Sequence, residues 1–194
     1  VLRTTLDHRI QSLAETALRD AVARLRHAGV TNGSVVVIEN RSAAVRALVG
    51  SADFANVADQ GQVNGAIAPR SPGSALKPFT YALAFELGLA TPDTVLADVP
   101  LNYTGYEPEN YDERFRGPVS AREALAQSLN IPAVQLLQAV TPDALHRLLR
   151  DLGLTTLTRP TAHYGLALTL GGVETTLLEL TNAYATLARL GVHR

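Results

Sequence analysis

A serine hydroxyl is a poor nucleophile until a neighbouring base removes its proton, and lysine can be that base once burial lowers its pKa. Ser74 and Lys77 stand three residues apart in Ser74-Ala75-Leu76-Lys77, a spacing that puts both side chains on one helix face. Free lysine titrates near ~10.4, so a base at neutral pH needs a fall of roughly three units, or about 4 kcal/mol. Residues 74–88 are apolar on nearly every side through Leu76, Phe79, Tyr81, Leu83, Phe85 and Leu87, which predicts a buried helix and the required desolvation. Its N-terminus adds roughly half a positive charge, favouring an alkoxide on Ser74 and an oxyanion beside it. The competing reading makes Lys77 a surface cation behind a capping serine. With eight serines in the chain, one precedes the sole lysine by three about 4% of the time by chance.

Ser128-Leu129-Asn130 is a second candidate. In an acyl-transfer site such a serine relays a proton to a leaving amine while the asparagine holds lysine and substrate. Both residue types also favour helix starts, so capping competes with that role. Glu107, Glu109, Asp112 and Glu113 form a carboxylate cluster that reads as a solvated loop, having no partner histidine. The five histidines show no metal-ligand spacing, and no metal or cofactor is implied. Tyr103, Tyr106 and Tyr111 line a groove or, on the competing reading, pack a proline-rich loop.

Several elements must position these groups. Leu6, Ile10, Leu13, Ala17, Ala21 and Leu25 recur at steps of three and four before Gly29, predicting a long surface helix. Ser34–Ile38 and Val45–Val49 read as two strands joined through Asn40-Arg41-Ser42. Residues 50–73 read as a loop. Pro78 is tolerable in the next helix only if that helix begins close to Ser74. Residues 91–118 hold four of the ten prolines and read as an ordered, irregular excursion. Helical periodicity returns at 121–127, 133–140 and 145–152, with Thr141 as a cap, Pro142 in the first turn and Gly153 as the stop. A last helix carries Leu177, Leu180, Tyr184 and Leu187 on one stripe.

The 194 residues are sufficient for one domain with a sizeable core. A net charge of −1, with no basic block, argues against nucleic-acid binding. The absence of cysteine excludes disulfides, thiolate metal sites and a cysteine nucleophile. No apolar stretch reaches the ~18 residues that a bilayer span needs.

S-x-x-K followed by S-x-N is the order found in penicillin-binding proteins and serine β-lactamases. Arg70-Ser71-Pro72-Gly73-Ser74-Ala75-Leu76-Lys77-Pro78-Phe79 resembles the nucleophile segment of class A penicillin-binding proteins. Thr5-Leu6-Asp7 with Gln11, Val45–Gly50, Glu109-Asn110-Tyr111-Asp112, Ala124-Leu125, Ile131-Pro132-Ala133-Val134 and Leu170-Gly171-Gly172 resemble the same family in the same order. The wording is closest to the 1C type and covers nearly the whole chain.

The resemblance implies an α+β, β-lactamase/transpeptidase-like fold and a D,D-transpeptidase cross-linking peptidoglycan stem peptides. It makes Ser74 the nucleophile, Lys77 the base, Ser128 the proton relay and Asn130 the positioning amide. β-Lactams would acylate Ser74 as substrate mimics, at the periplasmic or extracytoplasmic face of the bacterial inner membrane. A membrane anchor and a glycosyltransferase segment are expected before Val1.

One departure is large: no lysine follows Lys77, and no Arg or His precedes T-G or S-G, so the family's third, K-T-G-type motif is missing. Residues 1–194 are therefore expected to be an incomplete transpeptidase domain. It would lack the late strands, be mostly helical with a two-stranded N-terminal hairpin, and be weakly active or inactive by itself. An isolated hairpin leaves an open edge for self-association. The alternatives are a serine β-lactamase, although the E-x-x-L-N text of class A is not matched at Glu174 or Glu179, and a noncatalytic β-lactam- or peptidoglycan-binding scaffold.

Overall fold

The computed structural model describes residues 3–103 and 106–194. Its elements run α1 (His8–Leu25), β1 (Val35–Ile38), β2 (Val45–Val49), α2 (Lys77–Glu86), β3 (Val95–Asp98), β4 (Gly117–Ser120), α3 (Ala121–Ala126), α4 (Asn130–Val140), α5 (Pro142–Asp151), α6 (Thr161–Tyr164) and α7 (Leu177–Ala188). Two compact units share them. The first takes the chain up to Arg70 together with Leu152–Thr156 and Glu174–Arg194, and the second takes Ser71–Asp151 and Leu157–Val173.

In the first unit β1 and β2 form the expected antiparallel hairpin, in which Val35 faces Val49 and Val37 faces Ala47. Among the described residues no further strand joins it. Asp7 caps α1 by accepting from the N–H groups of Arg9 and Ile10. Gln11 then ties the helix to β2: its Oε1 accepts from Leu48 N at 2.9 Å and its Nε2 donates to Leu48 O at 3.3 Å. The buried stripe of α1 is Ala14, Leu18 and Val22, with Ile10 partly buried, against Ala47 and Val49. This corrects the face expected from periodicity. Leu13 is 70% exposed, because steps of four from Ile10 select the stripe that meets the hairpin.

The stripe expected on α7 also differs. Its buried residues are Ala183, Ala185 and Thr186, whereas Tyr184 and Leu187 remain exposed. α7 is in contact with β1.

In the second unit Leu76, Phe79, Ala84, Ile131, Val134, Leu137, Leu145, Leu149 and Leu168 are buried, each large side chain contributing ~1.5–3 kcal/mol. The hydroxyls of Thr80 and Thr169, both buried, bond each other at 2.7 Å. Residues 91–118, read as irregular, are bounded by a second antiparallel hairpin in which Leu96 faces Val119 and Ala97 faces Pro118. A two-stranded sheet is all edge, and an edge position tolerates a proline that lacks the N–H. Ser120 closes this hairpin and starts α3 through a capping box with Glu123.

Candidate active site

The chain enters the site through a 3-10 turn, Gly73–Leu76, that runs directly into α2. Pro78 falls in the first turn of that helix, where its missing N–H costs nothing. Ser71 Oγ donates to Gly171 O at 2.7 Å, anchoring the turn to the Leu170-Gly171-Gly172 segment. Gly171 has φ +85, and a Cβ there would fall on the backbone of Gly73. The glycine therefore permits both the left-handed conformation and the close approach. Ser74 is exposed.

Lys77 lies one turn further along and is only 1% exposed. Its Nζ donates to Asn130 Oδ1 at 2.6 Å, to Ser128 Oγ at 3.1 Å and to the Ser128 carbonyl. These three acceptors match the three N–H groups of an ammonium. Burial pushes its pKa down from 10.5 to about 8. The reading of Lys77 as a surface cation is overturned.

Ser128 follows α3 in a left-handed turn, φ +55, and Leu129, which makes no side-chain capping bond, is the N-cap of α4. Ser128 and Asn130 therefore do not cap the helix. The turn aims the carbonyl and hydroxyl of Ser128 at Lys77, while Asn130, the first residue of α4, supplies the third acceptor.

Asn130 is itself held from behind. Its Nδ2 donates to Glu109 O at 2.6 Å, and its backbone N–H donates to Asn110 Oδ1 at 2.8 Å. Asn110 Nδ2 donates to both oxygens of Asp98, at 2.9 and 3.0 Å, and to Arg114 O at 2.8 Å. Asp98 is fully buried at the end of β3 and also accepts from Arg116 N at 2.9 Å. Neither Asn110 nor Asp98 is assigned a role by sequence reasoning. Glu109-Asn110-Tyr111-Asp112 carries the family resemblance, which is the signal that could have found Asn110. Nearby, the buried hydroxyl of Tyr81 has no hydrogen-bond partner among the described residues, and burial together with the Asp98 charge pushes its pKa up.

Among the described residues, the remaining candidates contribute to this cluster only through the main-chain carbonyl of Glu109. Glu107, Glu109, Asp112 and Glu113 are exposed, and Asp112 pairs with Arg116 at 2.7 Å. Among the described residues no group of three or more acidic, histidine or cysteine side chains could hold a metal ion. Tyr111 is fully exposed, while Tyr103 and Tyr106 pair with each other through their backbones. No helix of the described residues is long and apolar enough to cross a membrane.

An exposed serine one helical turn before a buried lysine, with that lysine held by a serine and an asparagine from the junction of α3 and α4, defines an S-x-x-K/S-x-N site on an α+β scaffold. The description "Penicillin binding protein transpeptidase domain" matches residues 33–194. The chain belongs to that family. It is 38% identical over 190 residues to penicillin-binding protein 1C of Escherichia coli (strain K12), covering 98% of this chain and 24% of the relative. The crystal structure of penicillin-binding protein 1A from Haemophilus influenzae superposes with a TM-score of 0.67 at 32% identity, over 80% of this chain and 23% of that one. The PonA1 protein from Mycobacterium tuberculosis, in complex with penicillin V, gives a TM-score of 0.80 at 25% identity, over 100% and 52% of the two chains. The β-lactamase/transpeptidase-like fold follows, and the chain spans about a quarter of the length of the curated relatives it matches.

Proposed function

We propose that residues 1–194 belong to a D,D-transpeptidase domain that cross-links peptidoglycan stem peptides outside the cytoplasm, through an acyl-enzyme on Ser74. The observation that carries this reading is the Lys77 ammonium, 1% exposed and bonded to Ser128 and Asn130 one turn beyond an exposed Ser74. In its neutral form Lys77 takes the proton of Ser74 Oγ as that oxygen attacks the penultimate D-Ala carbonyl. Ser128 Oγ, 3.1 Å from Nζ, passes the proton to the nitrogen of the terminal D-Ala as the amide C–N bond breaks. The amine of a second stem peptide then attacks the ester, its proton returns along the same path, and Ser74 Oγ leaves protonated. Asn130 fixes the lysine and offers its amide to the substrate.

β-Lactams enter the same path: Ser74 Oγ opens the ring, and the acyl-enzyme persists. The β-lactamase alternative is not favoured, since neither Glu174 nor Glu179 stands in the E-x-x-L-N segment that would carry a deacylating glutamate.

The test is incubation of the intact protein with a fluorescent penicillin. Stable labelling that disappears in Ser74→Ala is expected. Labelling that survives in Ser74→Ala, or none in the parent, overturns the assignment, and rapid turnover of the label points to a β-lactamase. The 194-residue chain, which contains no K-T-G-type motif, is expected to label weakly.

A further inference from the structure

Asn110 and Asp98 form a chain of directed hydrogen bonds that ends on the residue holding Lys77. A carboxylate is acceptor-only, so Asp98 can face only the Nδ2 end of the Asn110 amide. Both Asp98 oxygens take that Nδ2, at 2.9 and 3.0 Å. The amide is planar, so its Oδ1 is turned the other way, where it accepts the backbone N–H of Asn130 at 2.8 Å. That N–H opens α4 and is one of the donors a helix leaves without an internal partner. Arg114 O takes a second bond from Asn110 Nδ2, and Arg116 N donates to Asp98, so both ends of the chain are tied to the strap between β3 and β4. Asp98 is 0% exposed and Asn110 5% exposed, so water does not compete for these bonds.

We propose that Asn110, oriented by the buried Asp98 carboxylate, is a positioning residue for acylation: it sets where Asn130 begins α4 and hence where Asn130 Oδ1 meets Lys77. It touches neither substrate nor Ser74, and acts through Asn130 alone. The proposal rests on the assignment of Lys77 as the base for Ser74. It goes beyond that assignment by giving the strap between β3 and β4 a part in the chemistry. An Asn130 displaced by about 1 Å, from the 2.6 Å at which it now meets Nζ, no longer holds the ammonium at hydrogen-bond distance, and misplacement on this scale is costly in rate.

The test follows the acylation rate of the intact protein by a fluorescent penicillin against pH, in the parent, Asn110→Ala and Asp98→Asn. The rate is expressed per site that finally labels, so unfolded molecules do not enter it. Positioning predicts a fall of about tenfold or more in Asn110→Ala, because Asn130 Oδ1 is no longer held on Nζ. It also predicts that the midpoint of the pH profile moves down by about half a unit or more, since the ammonium loses a fixed acceptor. Asp98→Asn keeps size and removes the acceptor-only group, so it moves both quantities in the same direction by less. It carries the test if Asn110→Ala does not fold. A merely structural role lowers the fraction that labels and leaves rate and midpoint alone. That result, or a rate change without a midpoint shift, overturns the proposal. Failure of the underlying assignment looks different, because the parent then shows no Ser74-dependent labelling.

Discussion

Lys77 Nζ donates to Asn130 Oδ1 across 2.6 Å, joining the first residue of α2 to the first residue of α4. The two are 53 positions apart in sequence, and their contact makes a buried ammonium tolerable. A buried charge without hydrogen-bond partners costs several kcal/mol, whereas here each N–H has an acceptor.

With the Lys77 pKa lowered by burial to about 8, the neutral base becomes about tenfold rarer for each pH unit below that value. The acylation rate by a β-lactam is expected to rise with pH up to about 8 and level off above it. A stopped-flow profile that is flat from pH 6 to 8 would contradict Lys77 as the base.

The same shift predicts a stability effect of definite sign. The lysine titrates at about 8 in the fold and 10.5 as a free group, so between these values the unfolded chain binds the extra proton. Stability therefore rises with pH across that window and carries the full penalty, roughly 3 kcal/mol, below it. The melting temperature of the parent relative to Lys77→Met should climb between pH 8 and 10, as read by scanning calorimetry.

Ser128 holds a left-handed backbone, φ +55, that costs a non-glycine residue roughly 1–2 kcal/mol. Ser128→Gly should remove that strain and lose the hydroxyl facing Lys77. The two effects on stability oppose, because the buried Lys77 ammonium loses one of its three acceptors at a cost of about 1–3 kcal/mol; no gain in melting temperature is expected while acylation slows, and a variant that acylates as fast as the parent would remove Ser128 from the proton path.

Gly171→Ala should destabilise the protein by more than ~2 kcal/mol, because its Cβ would fall on the Gly73 backbone. Moving that turn displaces Ser74, so acylation should slow as well. Gly29→Ala is the control: its backbone is also left-handed, φ +84 and ψ 5, but nothing lies within 4 Å of a Cβ there, so it should cost only about 1 kcal/mol. Chemical denaturation of the two variants compares them.

Thr80 and Thr169, both 0% exposed, are each other's hydroxyl partner. Thr80→Val leaves Thr169 unsatisfied and should cost ~1–3 kcal/mol, much of which the double change Thr80→Val/Thr169→Val should restore. A double-mutant cycle in urea measures the coupling, and additive losses would show that the pair is not a unit.

Much of this architecture is written in local sequence. Asn40-Arg41-Ser42 between β1 and β2 and Thr141-Pro142 before α5 announce their elements, because capping and turn preferences act within a few residues. The spacing of Ser74 and Lys77 on one helical turn is likewise local, as is the apolar composition that buries α2. Failures arise where a choice depends on a distant partner. Leu13 and Ile10 are equally apolar, yet only the Ile10 stripe meets the hairpin. The hairpin of β3 and β4 was hidden because each strand is four residues long and one contains Pro118.

The sequence by itself therefore determined which residue types were present for the chemistry: one lysine, a serine three before it, and the Ser128–Asn130 pair downstream. Tertiary structure alone decided that Lys77 is buried, that Ser128 faces it through a left-handed turn, and that Asp98 and Asn110 stand behind Asn130. The physical reason is range. Helical spacing, caps and turns are set by neighbours along the chain, whereas burial and the direction of a hydrogen bond are set by residues 12 to 53 positions away that only packing brings together.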